Sequence, residues 1–302
     1  MPWFTFSFPD FAYAFLSVLL EGVPFILLGT ILSGIIDEFL PSRVMVRYLP
    51  KNVFLGVCLS GVMGMVFPMC ECGIVPVIRR LMAKGLPVAN AIAYMLAAPI
   101  VNPIVALSTY AAFRGMGAAE FTVLRLGIGY FVAVLVAFAV HNLPVRTVLR
   151  DGIVAGEDEH DHVRGGRPLV RIGNALRVAV KDFMDVMVYF VLGVAISALF
   201  STGVNQEIIM PLALNEWLAV FSLMGLAVIL SLCSTSDAFI AATFVAFPAV
   251  AKLAFLVLGP MFDLKMLFMY SAVFKKRFVI GLGVGLFVLV GLICVRLTVL
   301  KL

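Results

Sequence analysis

Long apolar stretches separated by short polar segments dominate the pattern of this chain of 302 residues. Six stretches are long enough to cross a bilayer as uninterrupted helices, which need roughly 20 apolar residues each. They cover about residues 11–36, 86–112, 121–141, 177–200, 251–272 and 278–300. All are longer and more uniformly apolar than the short alternating segments of a membrane β-barrel. The pattern therefore predicts an all-α polytopic membrane protein.

Two further apolar stretches, residues 53–78 and 216–250, are interrupted near the middle. Between the apolar regions, one long segment mixes arginines, acidic residues and glycines, a composition typical of a solvated linker. We therefore predict three parts: membrane half 1 (residues 1–141), a cytoplasmic linker (142–176) and membrane half 2 (177–302).

The two halves carry similar residues in the same order. In each half an acid in the first span is followed by Leu-Gly, then by a cysteine in the interrupted stretch, then by Pro-x-x-(Asn/Asp). The first-half positions are Glu21, Gly29, Cys70, Pro99 and Asn102, and the second-half positions are Asp185, Gly193, Cys233, Pro260 and Asp263. Nearly equal spacings predict an internal duplication, and chance similarity between apolar segments is the alternative.

The basic residues indicate how the two halves are oriented. A basic linker is expected on the cytoplasmic side, and the loop 201–215 has no Lys or Arg, as expected outside. The matching first-half loop holds Arg43, Arg47 and Lys51, so it is expected inside.

Matching loops on opposite sides predict an inverted repeat, in which each interrupted stretch is a broken-helix hairpin. Each half then has about three full spans plus the hairpin, about eight to ten membrane segments in all, a design found in secondary transporters. The alternative is a parallel repeat of eight spans, which places those three basic residues outside.

Composition narrows the function classes. Hydrophobic residues make up 63% of the chain and charged residues 13%, too few to cover a soluble surface, so lipid is an expected partner. The net charge of +5 lies in short clusters between apolar runs, which excludes nucleic acid as the expected partner. No Walker lysine and no cofactor motif is visible, so we expect neither an ATP-driven pump, nor an enzyme, nor a bound cofactor.

The strongest local feature is the interruption from Pro68 to Pro76, which contains Cys70, Glu71 and Cys72. Two prolines and a glycine within an apolar stretch predict an unwound segment. Residues two apart face the same side of an extended chain, so both thiols would meet one ligand. Thiolates prefer soft metals or metalloids, and we predict Cys70 and Cys72 as such ligands. The alternative is that they pack as small apolar residues, as expected for Cys58 and Cys294.

The second-half interruption reads Cys233-Ser234-Thr235-Ser236-Asp237. Cys233 is predicted to add a third thiol, and Ser234, Thr235 and Ser236 to line a polar cavity. Glu71, Asp237 and Asp263 are predicted to tune the substrate site. Hydroxyl groups that only bond helix carbonyls are the alternative.

Acids within membrane spans are costly and usually functional. We predict Glu21 and Asp185 as proton-coupling groups, with an ion pair between Asp185 and Lys181 as the alternative for the second. The kinks expected at Pro99 and Pro260 would aim Asn102 and Asp263 inward, toward the substrate.

At these residues the chain resembles the bacterial predicted-permease family that includes the organoarsenical efflux permeases and YraQ-like proteins. The resemblance covers most of the chain and rests on five motifs. They are Cys70-x-Cys72-Gly73-Ile74-Val75-Pro76, Gly85-Leu86-Pro87, Ala97-Ala98-Pro99-Ile100-Val101-Asn102-Pro103, Cys233-Ser234-Thr235-Ser236-Asp237 and Gly259-Pro260-x-x-Asp263. It implies a multi-pass efflux permease of the bacterial cytoplasmic membrane, in which the thiols of Cys70 and Cys72 bind a trivalent arsenical. The family commonly has Ser between these cysteines, where this chain has Glu71.

Three hypotheses follow. The first is a proton-coupled secondary efflux permease for a small thiophilic or metalloid substrate, acting alone or as a homo-oligomer. The second is a permease for an unrelated solute, with structural cysteines. The third is an intramembrane thiol oxidoreductase, against which the spacing Cys-x-Cys argues.

Overall fold

The computed structural model describes residues 7–41, 50, 52–150, 168–203 and 215–299. Helices account for nearly all of the ordered secondary structure in these ranges. They are α1 (Phe8–Phe39), α2 (Val53–Val66), α3 (Glu71–Ala83), α4 (Val88–Ala97), α5 (Pro103–Ala112), α6 (Ala118–Ala139), α7 (Val145–Val148), α8 (Pro168–Gly203), α9 (Glu216–Leu230), α10 (Asp237–Thr243), α11 (Ala249–Met261), α12 (Leu264–Val273) and α13 (Lys276–Val299). Arg43, Arg47, Lys51 and the middle of the predicted linker lie outside the described residues.

Five helical segments are long and apolar enough to cross a membrane by length and composition. They are Phe8–Phe39, Ala118–Ala139, Val170–Thr202, Ala249–Val273 and Lys276–Thr298. Shorter apolar helices, α2, α4, α5 and α9, fill the remaining apolar sequence. The prediction of an all-α polytopic membrane protein is therefore confirmed.

Two stretches predicted as uninterrupted spans are broken. Residues 86–112 form α4 and α5, which are separated at 98–102, and residues 251–272 form α11 and α12, which are separated at Phe262 and Asp263. In both breaks a polar residue with extended backbone caps the following helix: Asn102 accepts from the Ile104 amide at 2.9 Å, and Asp263 from the Met266 amide at 2.6 Å. The predicted kinks are thus complete breaks, because each polar side chain replaces the missing helix bonds.

The unwound segment is shorter than the sequence suggested. It covers residues 67–70, and α3 begins at Glu71 and continues through Pro76. Cys72 is therefore helical, and the expectation that Cys70 and Cys72 lie on one extended strand is wrong. Cys70 instead precedes the helix in extended conformation, and its sulfur accepts from the Gly73 amide at 3.4 Å, which favours an early helix start.

The centre of the protein is built from α4 and α11. Every residue of α4 is buried, and so is α11 from residue 250 to its end. The helices α2 and α6 pack around α4, and α9 and α13 around α11, while α1 packs along α8. The outward faces of α1, α2, α8 and α13 are apolar and exposed, as expected for helices in lipid.

Close contacts at two glycines position the long helices against the centre. A side chain at Gly29 of α1 would collide with the backbone carbonyl of Gly73 in α3. A side chain at Gly193 of α8 would lie 3.0 Å from the carbonyl oxygen of Lys265 in α12. These are the glycines of the repeated Leu-Gly pair, so the repeat lets α1 approach α3 and α8 approach α12.

The change Gly29→Ala is expected to destabilise the protein by about 1–3 kcal/mol, because the added methyl group forces backbone apart. Thermal unfolding in detergent micelles measures the effect. Gly127→Ala in α6 is the matched control, since a side chain there meets nothing within 4 Å. That control should be neutral or slightly stabilising. Equal melting temperatures for the two variants would contradict the close packing of α1 on α3.

Candidate functional site

The two interruptions predicted from the sequence meet inside the protein. Cys70, Glu71 and Cys72 at the start of α3 and Cys233 before α10 line one small cavity. Lys265 of α12 completes its inner wall, and four residues of α1, Val18, Glu21, Gly22 and Phe25, form the other side. The cavity has room for about one water molecule. The two helix interruptions, which are far apart in sequence, therefore bring three of the five cysteines to one cavity.

A buried lysine stands at the centre of the polar groups. The Lys265 ammonium lies 3.1 Å from Glu71 Oε1 and 3.5 Å from Asp263 Oδ2. The three side chains are 2%, 1% and 0% exposed, respectively. At such depth a carboxylate needs a cation partner, because burying an unpaired charge is very costly. Lys265 thus joins α3 of the first half to α12 of the second.

The first turn of α12 is fixed by a hydroxyl at the end of α9. Ser231 has a left-handed backbone with φ of 48°, an uncommon conformation for a residue other than glycine. Its hydroxyl oxygen accepts from the Lys265 amide at 3.4 Å. This contact fixes the backbone that carries the Lys265 side chain.

A second buried ion pair lies beside the first. Arg125 of α6 is fully buried, and one of its amino groups lies 2.7 Å from Asp237 Oδ2, at the start of α10. Its other amino group donates to the Thr109 hydroxyl at 2.8 Å. Ser234 connects the two pairs, because its hydroxyl donates to Glu71 Oε2 at 3.2 Å and its carbonyl accepts from Arg125 at 3.1 Å. The result is a continuous buried network from Asp263 to Asp237.

Three buried polar atoms of this network have no hydrogen-bond partner among the described residues: Arg125 Nε, Asp237 Oδ1 and Asp263 Oδ2. Such atoms are rare in folded proteins and often mark functional sites. The two carboxylate oxygens belong to Asp237 and Asp263, which the sequence analysis predicts as site residues.

The remaining predicted residues take two kinds of position. Asn102, Ser234, Asp237 and Asp263 lie outside the cavity wall; the last three belong to the network, while Asn102 caps α5. Thr235 and Ser236 donate to the sulfur and the carbonyl of Cys233, respectively, so these two hydroxyls follow the local-bonding alternative.

The two predicted proton-coupling acids lie apart. Glu21 borders the cavity, on the exposed side of α1. Asp185 is away from the cavity and pairs with Arg79 at 3.1 Å, so its ion-pair partner is Arg79. The neighbouring Asp182 is fully buried; it accepts from Arg80 at 2.8 Å and from the Ser33 hydroxyl at 2.6 Å. This ion cluster joins the end of α3 to α1 and α8.

The cysteines fall into two groups. Cys70 and Cys72 lie against each other in the cavity with Cys233 nearby, whereas Cys58 and Cys294 lie elsewhere in the helices. All five are free thiols. Within the described ranges, no group of three or more His, Cys, Asp and Glu side chains is arranged to hold a metal ion.

Sequence reasoning missed Lys265, Arg125 and Asp182. A signal was present, because charges of either sign within membrane spans are rare and costly. Asp182 lies in the predicted span 177–200. Arg125 lies in the predicted span 121–141 and Lys265 in 251–272. Attention to both signs of charge would have selected them, but not their partners.

A family described as "Predicted permease" (ArsP_1) matches residues 7–299. The UPF0718 protein YcgR of Bacillus subtilis (strain 168) is 40% identical over 278 residues, which cover 90% of this chain and 92% of that protein. A "Putative two-component membrane permease complex subunit" of Streptococcus mutans serotype c is 37% identical over 280 residues, covering 88% and 87%. No solved structure matches significantly.

Proposed function

Because the chain belongs to the predicted-permease family, we propose that it is a secondary efflux permease of the bacterial cytoplasmic membrane. Its proposed substrate is a thiophilic species such as a trivalent arsenical. Membership of the family supports transport across a membrane, and the residues that line the cavity support a thiophilic substrate.

The observation that carries the proposal is the convergence of three thiols on one cavity. Cys70 and Cys72 come from the first interruption and Cys233 from the second. Thiol sulfurs are soft ligands, and trivalent arsenic is a soft acceptor. On binding, each thiol replaces one hydroxyl group of the trivalent arsenical, so that an arsenic–sulfur bond forms and the hydroxyl leaves with the thiol proton as water. On release, water hydrolyses each arsenic–sulfur bond and restores the thiol, and arsenic stays trivalent throughout.

The arrangement of the breaks supports movement around this cavity. The helices α3 and α10 each start beside the cavity or its network, and each first residue, Glu71 or Asp237, pairs with a cation of the other half. In the proposed inverted repeat these broken helices act as gates on opposite sides, as in other secondary transporters. Glu71 and Ser234 position the tip of α3 and, with Asp237 behind them, tune the polarity of the site.

Contacts among charged ends support the proposed hairpin of α2 and α3. The ion cluster brings the C-terminal ends of α1 and α3 together, as expected if both lie on the cytoplasmic side with the linker. Leu149 at the start of the linker pairs with Phe274, next to the basic residues Lys275 to Arg277. Both contacts join segments that the charge pattern assigns to one side.

We keep proton coupling in the proposal, with Glu21 as the acid that meets the cavity. Asp185 we propose instead as part of the cluster that holds α3 to α8, because of its pair with Arg79.

The test is uptake of methylarsenite and arsenite into everted membrane vesicles. Wild type is expected to accumulate at least one of them, and Cys70→Ser, Cys72→Ser and Cys233→Ser to accumulate it roughly tenfold less or worse, because each lost ligand bond worth about 1.4 kcal/mol is a factor of ten in affinity. Cys58→Ser and Cys294→Ser are matched controls outside the cavity and should behave as wild type.

Three other outcomes would count against the proposal. Wild type that is well expressed but accumulates neither compound would remove arsenicals as substrates. Full activity in the three cavity variants would favour a permease with structural cysteines. A reversible Cys70–Cys72 disulfide in a redox titration, without transport, would favour the oxidoreductase.

A further inference from the structure

The charges around Lys265 do not balance. One ammonium group faces two carboxylates, Glu71 at 3.1 Å and Asp263 at 3.5 Å, and none of the three side chains is more than 2% exposed. The neighbouring cation cannot compensate, because Arg125 already pairs with Asp237. With every group ionised, this part of the protein interior would carry one excess negative charge.

An excess buried charge is removed most readily by binding a proton. Transfer of an unpaired carboxylate into a low-dielectric interior is so costly that the group becomes neutral instead. Two carboxylates that share one site likewise retain one proton between them. Protonation of one of the two acids at Lys265 would remove the excess charge.

Hydrogen bonding decides which acid it is. Both Glu71 oxygens accept hydrogen bonds, one from Lys265 and one from the Ser234 hydroxyl. Asp263 Oδ1 accepts from the Met266 amide, but Oδ2 accepts no hydrogen bond. The other titratable groups facing Asp263 are Lys265, Glu71 and Tyr270, whose hydroxyl donates to the Met261 carbonyl. Asp263 Oδ2 is thus the carboxylate oxygen of the two acids that is free to carry a proton.

The first half of the chain shows that capping alone does not require an acid here. Asn102 occupies the matching position of its Pro-x-x-(Asn/Asp) motif and caps α5 through the same kind of side-chain oxygen. Asn and Asp are equally good N-caps. The carboxyl group of Asp263 thus provides something beyond the cap, and its surroundings indicate a titratable group.

We propose that Asp263 is a second proton-binding site, deeper than Glu21, and that its proton couples transport to the proton gradient. This inference rests on the proposed permease function and names its coupling ion and residue. With Asp263 neutral, Lys265 pairs with Glu71 and holds the tip of α3 against α12. Loss of the proton makes Asp263 a competitor for Lys265, which weakens the pair with Glu71 and frees the thiol-bearing tip of α3. Lys265 links the two events because it lines the cavity and contacts both acids.

The decisive experiment is infrared difference spectroscopy on the purified full-length chain in lipid vesicles, between neutral and alkaline pH. Wild type is expected to show the carbonyl band of a protonated carboxyl at neutral pH, and this band should be lost in Asp263→Asn. The asparagine keeps the cap, so the variant should fold. Glu21→Gln removes a carboxyl at the edge of the cavity and should retain the band. No band in wild type, a band that survives in Asp263→Asn, or a band lost only in Glu71→Gln would overturn the assignment.

A transport readout separates this inference from the proposed function. In vesicles, the ratio of arsenical uptake with a proton gradient to uptake without one should exceed one for wild type and fall to about one for Asp263→Asn. Wild-type transport whose gradient ratio is unchanged in Asp263→Asn would overturn the inference and leave the permease intact. If wild type transports no arsenical, the proposed substrate fails, while the infrared band still decides whether Asp263 binds the proton.

Discussion

The change Lys265→Met is expected to destabilise the folded protein by roughly 3–5 kcal/mol, the usual cost of removing one partner from a buried ion pair. Glu71 is 1% exposed, and among the described residues it would be left with only the Ser234 hydroxyl as a side-chain hydrogen-bond donor. Methionine has nearly the same length as lysine, so the loss reflects the charge and not an empty space. Thermal unfolding in detergent micelles, followed by circular dichroism, measures the shift.

The double variant Lys265→Met with Glu71→Gln distinguishes a charge effect from a packing effect. Replacing both members of a buried pair by neutral groups is often tolerated, so this variant should recover most of the lost stability. Lys181→Met, an exposed lysine of α8, is the matched control and should melt like wild type. A double variant no more stable than Lys265→Met alone would show that Lys265 acts through packing.

The change Arg125→Met is expected to have a comparable effect, about 3–5 kcal/mol, because Asp237 then loses its cation. Asp237 already has one oxygen without a hydrogen bond, and the Ala238 amide alone is a weak substitute for the cation. Arg125 also donates to the Ser234 carbonyl and the Thr109 hydroxyl, and both acceptors would lose their donor. The measurement is again the melting temperature, together with the fraction of protein that elutes as a single species in size-exclusion chromatography.

Two further variants define the cause of that effect. Asp237→Asn combined with Arg125→Met removes both charges and should be more stable than Arg125→Met alone. Arg114→Met replaces an exposed arginine just before α6 and should leave the melting temperature unchanged. Equal losses in Arg114→Met and Arg125→Met would mean that the buried pair with Asp237 contributes nothing special to stability.

Much of the architecture was predictable because apolar length and charge are local properties of the chain. The helical membrane class, the two interruptions and the grouping of Cys70, Cys72 and Cys233 as candidates all came from short windows of sequence. The extent of the breaks was not predictable. The prolines around Cys70 suggested a long unwound segment, yet the Cys70 cap starts α3 at Glu71. The breaks between α4 and α5 and between α11 and α12 depend on whether Asn102 and Asp263 cap a new helix. A short window of sequence does not determine this.

The ion pairs within the site could not be predicted from the sequence, for a different reason. Glu71 and Lys265 are 194 residues apart, and Arg125 and Asp237 are 112 apart. Hydrophobic periodicity tells which side of a helix is buried, but not which distant helix covers it. Asp185 illustrates the point: the nearest cation in sequence is Lys181, whereas the cation in contact is Arg79.

The long sequence separation within the ion pairs has a consequence for biogenesis. A ribosome adds about 5–20 residues per second, so roughly 10–40 s pass between synthesis of Glu71 and synthesis of Lys265. Throughout that interval the nascent first half holds an acid and an arginine whose partners do not yet exist. These segments must wait in a hydrated environment, at the membrane surface or beside the insertion machinery, until α10 and α12 are made. A chain truncated before α10 should therefore be recognised by quality-control proteases, even though all of its first-half spans are present.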